Sequence, residues 1–419
     1  MEATTIVFVF LGFFIAENVW ETLLLILHLR YISSHKDDIP AFVDQEEGRE
    51  KMHKSVDYSI TRGRFSLVAS VFSAALLLVI VFAKLLGMLD VWLAGFSLGM
   101  YLHGLVFLGI VSFAFSLFSL PFSIYSQFVI EKHFGFNTMT PLLFVFDRLK
   151  GLVLGLLLGV PLLLGLFWFM ETTGSFWWLF AAGFVVVFQL VVSVLYPTVI
   201  APLFNKFQPL PEGELKEKIQ QLLIKLKYRT AGIFIMDGSK RSKHSNAYFT
   251  GFGKTKRIVL FDTLVDTLSP EEITAVFAHE LGHEKKGHII KGFLVSIVAT
   301  IVSFFVLSLL LGWTPLYKAF GFEAVSYPYH ALIALVSLFA GSFTFFLKPL
   351  GSIFSRRNEY QADCFARDVM DNNPKPLVSA LLKLSKDNLG LINPHPLYSF
   401  FHYSHPTLRE RIAALEKKG

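Results

Sequence analysis

The chain has 419 residues, of which 53% are hydrophobic, 15% aromatic and only 17% charged. Soluble domains usually carry about 25% charged residues, so this composition excludes an ordinary soluble protein and indicates a polytopic membrane protein. The net charge of +6 does not indicate nucleic-acid binding, because the basic residues are concentrated between apolar runs, and the single cysteine, Cys364, excludes an intrachain disulfide.

Seven apolar runs are long enough to cross a bilayer, for which a helix needs about 20 residues. They are Thr5–Leu29, Phe65–Leu86, His103–Ile130, Leu152–Met170, Phe176–Ile200, Phe293–Trp313 and His330–Phe346. The run Val91–Tyr101 is shorter, and we expect an interfacial or re-entrant segment there. The first run lacks a preceding basic region and a cleavage pattern, so we expect a retained helix and not a signal peptide.

The basic residues are distributed unevenly between the two sides of the predicted spans. Fifteen Lys and Arg lie between Asn205 and Lys291, whereas the turn 170–174 on the opposite side has none. Cytoplasmic loops of membrane proteins carry such an excess of Lys and Arg. The pattern therefore places four segments on the cytosolic side, namely 31–64, 131–150, 205–291 and the tail after Lys348.

The polar segment after the fifth span is predicted to contain both helices and a small sheet. The apolar spacing of Leu215–Leu226 is typical of an amphipathic helix. The runs 233–237, 246–253 and 257–265 are rich in β-branched and aromatic residues and are separated by turn residues, which indicates strands. Ser269 and Glu272 have the spacing of a capping box at the start of the next helix.

The predicted fold is mainly α, with a small cytosolic α+β portion. We divide the chain into a five-span N-terminal membrane region (1–203), a cytosolic segment with the small sheet (204–291), a two-span hairpin (292–347) and a cytosolic helical segment (348–419). These parts are expected to form one catalytic unit.

The sequence HELGH begins at His279, within the helix that follows the sheet. His279 and His283 are four residues apart, so both imidazoles lie on one helical face, one turn apart. Two such imidazoles supply half of a tetrahedral zinc site. Glu280 lies beside them, where its carboxylate can take a proton from water activated by the metal. The alternative is a pair of surface histidines that bind no metal.

A third protein ligand has to come from another part of the chain. The extended metzincin pattern requires Gly and His at the third and sixth positions after the second histidine, where this chain has Lys286 and Ile289. His288 is nearby but out of helical register, so we do not expect a third histidine ligand. The missing ligand is therefore expected to be a carboxylate.

The candidate carboxylates lie in the segment 355–370, where Glu359 and Asp363 are four residues apart on one helical face. Glu359 can complete a site of two histidines and one glutamate, while Asp363 can accept the second N–H of a ligating histidine and fix its tautomer. The alternative is an exposed acidic face paired with neighbouring arginines. HELGH precedes the sixth span and Glu359 follows the seventh, so two crossings return the chain to the cytosolic face.

Six motifs carry a resemblance to a known family. They are EKHFGFNTMT (131–140), PLFNKFQPLPEGEL (202–215), SKHSNAYFTGFGKTKRIVLFDTL (242–264), AHELGHEKKGH (278–288), NEYQAD (358–363) and YSHPTLRERI (403–412). Together, in this order and over nearly the whole chain, they resemble the CAAX prenyl protease 1 family of integral-membrane zinc metalloproteases.

The resemblance implies seven long helices around a large intramembrane chamber, with the zinc site at the cytosolic end. It also implies cleavage of the last three residues from a C-terminal C-a-a-X peptide whose cysteine is prenylated. The roles carried over with the motifs are one zinc ion bound by His279, His283 and Glu359, with Glu280 as catalytic base. Asn246 would hold the substrate backbone, and His405 and Arg411 would stabilise the oxyanion or orient ligands.

Two other functions are compatible with parts of the sequence. The same chemistry could serve membrane-protein quality control on substrates without a prenyl group. The chain could instead be a non-enzymatic transporter or channel, although Glu17 and Glu21 are the main charges within its spans. The end EKKG lacks a di-lysine retrieval pattern, which favours a bacterial inner membrane over the endoplasmic reticulum. The partners expected are the bilayer and a polypeptide substrate; the oligomeric state is left open.

Overall fold

A computed structural model describes residues 2–40, 43, 45–250, 256–323 and 329–417 of the chain. The helices are α1 (Ala3–Ser34), α2 (Gln45–Phe82), α3 (Leu85–Ala94), α4 (Met100–Tyr125), α5 (Glu131–His133), α6 (Pro141–Thr172), α7 (Trp177–Leu195), α8 (Ala201–Phe204), α9 (Glu214–Lys225), α10 (Asp262–Thr267), α11 (Pro270–Lys285), α12 (His288–Leu311), α13 (Thr314–Ala319), α14 (Tyr329–Thr344), α15 (Lys348–Val369), α16 (Lys375–Asp387), α17 (Pro396–His402) and α18 (Leu408–Glu416). The strands are β1 (Phe207–Pro209), β2 (Gly232–Met236), β3 (Ala247–Thr250) and β4 (Arg257–Phe261).

Seven helical stretches within the described residues are long and apolar enough to cross a membrane. They are Ala3–Ser34, Gly48–Phe82, Met100–His133, Pro141–Thr172, Gly174–Phe204, His288–Leu311 and Tyr329–Val369. Each overlaps one predicted run, so the prediction of seven spans is confirmed. Their outer faces are apolar: Phe8, Leu157 and Leu309 are 67%, 66% and 63% exposed. Such a surface suits lipid, which is itself apolar.

The short apolar run between the second and third spans differs from the prediction in its boundaries. Helix α2 ends at Phe82, and α3 occupies ten residues that are too few to cross a bilayer. The last residues of the predicted run belong instead to the first turn of α4. Close packing helps to place α3, because a Cβ added to Gly87 would lie 1.9 Å from the carbonyl oxygen of Gly321.

A large cavity lies within the membrane region. Its volume is about 990 Å³, and it is lined mainly by α1, α2 and the C-terminal segment. Polar side chains line it on all three sides, among them Glu17 and Glu21 of α1, Arg62 of α2 and Asn388 of the C-terminal segment. This cavity fits the expected chamber in its position between the long helices and mixes charged and apolar groups, but the candidate metal ligands do not line it.

The four strands form one mixed sheet in the order β1-β2-β4-β3. Strands β2 and β4 are parallel, and the two outer pairs are antiparallel. The three-residue β1 was not predicted, and the predicted strand 257–265 is wrong in its second half, because α10 begins at Asp262. Residues 251–253 of the predicted strand lie outside the described part. Among the described strands, β3 pairs only with β4 and is an edge strand, a position at which another chain can add.

Helix α11 is the centre of the buried core that the sheet forms with the surrounding helices. Its buried residues include Ile273, Phe277 and Leu281, which pack with α9, α15 and α16. The predicted capping box is present: Glu272 N–H donates to Ser269 Oγ at 3.3 Å, and Ser269 N–H donates to Glu272 Oε2 at 2.7 Å. Glu272 also accepts a hydrogen bond from Ser379 of α16. The start of α11 is therefore held both by its own cap and by a neighbouring helix.

Candidate metal centre

The two histidines of HELGH lie at the end of α11 that faces α15. Their Nε2 atoms are 3.3 Å apart, as the four-residue spacing predicts for imidazoles on one helical face. His279 is buried, at 6% exposure, and His283 is partly buried. This placement argues against the alternative of two surface histidines.

Glu359 of α15 lies against both imidazoles. Its Oε2 is 3.4 Å from His279 Nε2, and its Oε1 is 3.2 Å from His283 Nε2. Buried Glu359 Oε2 accepts no hydrogen bond from any residue in the described ranges. A tetrahedral zinc site with ligand distances of about 2.0–2.1 Å has edges of about 3.3–3.4 Å. These distances join the two Nε2 atoms with each other and each of them with a different oxygen of Glu359, and all are close to such an edge, so the three residues can share a single zinc ion.

Close contact between α11 and α15 makes this arrangement possible. A Cβ added to Gly282 would lie 3.0 Å from the Ala362 Cα and 3.2 Å from the Ala362 carbonyl oxygen. Both of these atoms belong to the backbone of α15 and cannot move aside as a side chain does. The glycine within HELGH therefore permits the two helices to approach closely enough for their side chains to share a metal.

Asp363 and Arg411 contact His279 at its Nδ1 atom, on the side of the ring away from Glu359. Asp363 Oδ1 is 2.8 Å from His279 Nδ1, so it can accept the proton that remains when Nε2 binds a metal. Arg411 donates from Nε and Nη2 to the two oxygens of Asp363 at 2.9 and 2.6 Å. Its Nη2 also lies 3.4 Å from His279 Nδ1, whereas its Nη1 is 3.9 Å from Glu359 Oε2, so the arginine acts on the site through Asp363 and His279.

His405 approaches the site from the other side. Its Nε2 is 3.4 Å from Glu359 Oε1, while 62% of its side chain remains exposed. The following helix is capped not by His405 but by Thr407, which forms a capping box with Glu410. His405 is therefore available to a bound peptide.

A cavity of about 470 Å³ brings the remaining candidates together. Its lining includes the metal-ligand candidates, Glu280, Asn246, the start of β3 and an apolar group from α16, Leu377, Leu381 and Leu384. Burial raises the pKa of Glu280, which strengthens this carboxylate as a base. Exposed Asn246 precedes the edge strand, and its Oδ1 accepts from the N–H of Ala247 at 2.8 Å.

Two groups of residues near the site were not predicted from the sequence. Asn388 Oδ1 accepts from Ser245 N–H at 3.1 Å and lies 3.0 Å from His244 Nδ1, which holds the chain just before β3. His288 contacts His283, and Gln361 contacts His288. The second group carried a sequence signal, since His288 closes the run HELGHEKKGH and Gln361 lies between Glu359 and Asp363.

A second group of histidines and a carboxylate lies in the membrane region, on α3, α4 and α14. Asp90 Oδ1 is 2.7 Å from the Nε2 atoms of both His103 and His330. These separations are typical of direct N–H···O hydrogen bonds and are shorter than the edge of a zinc tetrahedron. We therefore interpret this group as a hydrogen-bonded contact between three helices.

Comparisons with known proteins agree over almost the whole chain. The family model described as CAAX prenyl protease N-terminal, with five membrane helices, matches residues 28–206, and that of peptidase family M48 matches residues 209–418. The CAAX prenyl protease 1 of Saccharomyces cerevisiae is 38% identical over 97% of this chain and 94% of its own length. The homolog of Homo sapiens is 35% identical over 95% and 92%, respectively.

A solved structure extends the similarity to three dimensions. The crystal structure of Ste24p from S. mikatae matches with a TM-score of 0.92 and 34% sequence identity. The match covers 99% of this chain and 99% of that chain. Helices, sheet and C-terminal segment therefore share one arrangement in both proteins.

Proposed function

The chain belongs to the CAAX prenyl protease 1 family within peptidase family M48 and is a multi-pass membrane metallopeptidase, and on this premise we propose that it removes the last three residues from prenylated C-a-a-X peptides. The relatives named for this activity cover nearly the full chain, which supports the same substrate class here. Membership in a peptidase family favours an enzyme over the alternative of a transporter.

The observation that carries the proposal is the geometry of the donor atoms of His279, His283 and Glu359. The two Nε2 atoms are 3.3 Å apart, and each lies 3.2–3.4 Å from one of the two Glu359 oxygens, which are separations close to the edge of a zinc tetrahedron. Two imidazoles and one carboxylate leave the fourth position open, as in catalytic zinc sites. We therefore assign one zinc ion per chain to these ligands.

Zinc in this site would supply Lewis acidity, which polarises a peptide carbonyl and acidifies water. Glu280 lines the same cavity and is assigned the role of general base, which takes a proton from the attacking water and passes it to the leaving amine. Its buried position favours this role, because a carboxylate with a raised pKa holds the transferred proton more firmly.

The substrate backbone is assigned to the free side of β3 and to the side chain of Asn246. An extended peptide can add to such an edge by main-chain hydrogen bonds. His405 lies close enough to Glu359 to donate to oxygen that becomes negative during amide hydrolysis. Asp363 and Arg411 are assigned the role of orienting His279, which for Arg411 is one of the two roles expected from the sequence.

The site is assigned to the cytosolic side of the membrane. The excess of Lys and Arg between Asn205 and Lys291 supports this orientation, since the sheet and α11 belong to that segment. The choice between a bacterial inner membrane and the endoplasmic reticulum stays a prediction from the sequence.

The proposal is tested with the purified full-length chain in detergent, by cleavage of a farnesylated C-a-a-X peptide. The wild type is expected to release the tripeptide, and Glu280→Ala to lose activity by a factor on the order of 10²–10⁴ while retaining zinc. The same peptide without the farnesyl group is the substrate control. Equal cleavage of both peptides would favour the quality-control function, and a wild type that binds zinc but cleaves neither would contradict the proposal.

A further inference from the structure

We propose that His288 and Gln361 are positioning residues that orient His283 and fix its tautomer for metal binding. This inference rests on the proposed function, because it takes His283 as a metal ligand. It assigns a role to a histidine whose spacing from HELGH excludes it from the helical face of the ligands. The residues form a chain of contacts from α11 through the start of α12 to α15.

The contacts are close, and the central residue, His288, is buried. His288 Nδ1 lies 3.1 Å from His283 Nδ1, and His288 Nε2 lies 3.0 Å from Gln361 Oε1. His288 is 6% exposed, although it is followed by the exposed residues Ile289 and Ile290. A buried imidazole whose two ring nitrogens both have polar partners is held in one orientation.

Local backbone geometry explains why His288 can reach His283. Helix α11 ends at Lys285, and Gly287 adopts a left-handed conformation, with φ of 69°. Glycine adopts this conformation without the steric cost that a side chain would bring. The chain turns there, so the register of α11 no longer applies to His288, which begins α12 beside the end of α11.

The proton positions along this chain of contacts follow from metal binding. A neutral His283 that binds a metal through Nε2 carries its proton on Nδ1. That N–H can donate only if His288 Nδ1 presents its lone pair, which puts the His288 proton on Nε2. His288 Nε2–H then donates to Gln361 Oε1, an atom that is always an acceptor. Gln361 thus selects the tautomer of His288, which in turn selects the tautomer of His283.

Residues of helix α15 therefore orient both histidine ligands. Asp363 contacts Nδ1 of His279 directly, whereas Gln361 acts on His283 through His288. Glu359 of the same helix is itself the third ligand candidate. Partners of this kind behind metal ligands typically change metal affinity by about 10–100-fold when they are removed.

The test measures the zinc dissociation constant of the full-length chain by competition with a chelator. His288→Leu removes the acceptor and is expected to weaken zinc binding by about 10–100-fold. His288→Gln can accept from His283 and donate to Gln361, so it is expected to recover most of the lost affinity. Gln361→Leu is expected to weaken binding less, and the double variant no more than His288→Leu alone, because the two residues act in series.

The matched control is His330→Leu, which removes another buried histidine with a polar partner, at 4% exposure. It is expected to lower the melting temperature but to leave the zinc dissociation constant unchanged. Wild-type zinc affinity in His288→Leu, or an equal loss in His330→Leu, would overturn the inference while leaving the proposed function intact. Absence of zinc from the wild type would overturn both.

Discussion

At the scale of single residues, Arg411 holds the carboxylate of Asp363 in place beside His279. Arg411 donates two hydrogen bonds to Asp363, which is only 1% exposed. A guanidinium presents its donors in a fixed plane that matches both oxygens of a carboxylate, whereas an ammonium group cannot. The contact therefore depends on the shape of the group as well as on its charge.

We accordingly expect Arg411→Lys to impair the enzyme although it conserves the charge. Loss of one partner from a buried ion pair costs about 3–5 kcal/mol, and a retained ammonium should recover only part of this. The free energy of unfolding and the zinc affinity should both fall. Chemical denaturation measures the free energy of unfolding, and chelator competition measures the zinc affinity.

Arg409→Lys provides the control for this change, since Arg409 is exposed on the same helix. Surface substitutions of this kind usually change stability by less than about 0.5 kcal/mol. If Arg411→Lys behaved like Arg409→Lys in both measurements, the orienting role of Arg411 would be refuted.

At the scale of elements, the metal site depends on the distance between α11 and α15. Gly282 lies directly against the backbone of Ala362. Gly282→Ala should therefore push the two helices apart, weaken zinc binding and lower the melting temperature, even though Ala favours helix formation. Chelator competition and thermal unfolding measure the two effects.

Gly292→Ala in α12 is the control for Gly282→Ala, because it changes helix propensity without changing the packing between helices. A Cβ at Gly292 meets no atom of the described residues within 4 Å. This variant should be neutral or gain up to about 1 kcal/mol from helix propensity. Equal effects of the two substitutions would show that the contact between α11 and α15 does not control the site.

At the scale of the whole molecule, the orientation that we propose for the membrane rests on the charge distribution. Glu212 precedes α9 on the predicted cytosolic side, and Thr172 ends α6 on the opposite side; both are exposed. In a Cys364→Ala background, an impermeant thiol reagent added to sealed vesicles whose cytosolic face points outward should label Glu212→Cys and spare Thr172→Cys. The reverse pattern would place the metal site on the other side of the membrane.

Much of this architecture could be predicted because it depends on local sequence patterns. The spans follow from the length of apolar runs, and the start of α11 follows from Ser269 and Glu272. Even the approach of Glu359 to HELGH was predictable, since two crossings bring both segments to the same side. These features need no knowledge of which helices touch.

The remaining features depend on contacts between distant parts of the chain. Strand β1 has only three residues and forms by pairing with β2, so its own sequence carries little signal. Helix α3 is placed by packing of Gly87 against Gly321. The role of His288 was missed because the spacing rule assumes one continuous helix, whereas Gly287 ends it.

The central claim is that Glu359, which follows the apolar run of the seventh membrane span, completes a zinc site with His279 and His283, which precede the sixth span. The most direct test is the zinc content of the purified chain, measured by elemental analysis after dialysis against a weak chelator. The account predicts close to one zinc per wild-type chain and a large loss in Glu359→Ala. A wild type without zinc, or Glu359→Ala that retains a full equivalent, would contradict it.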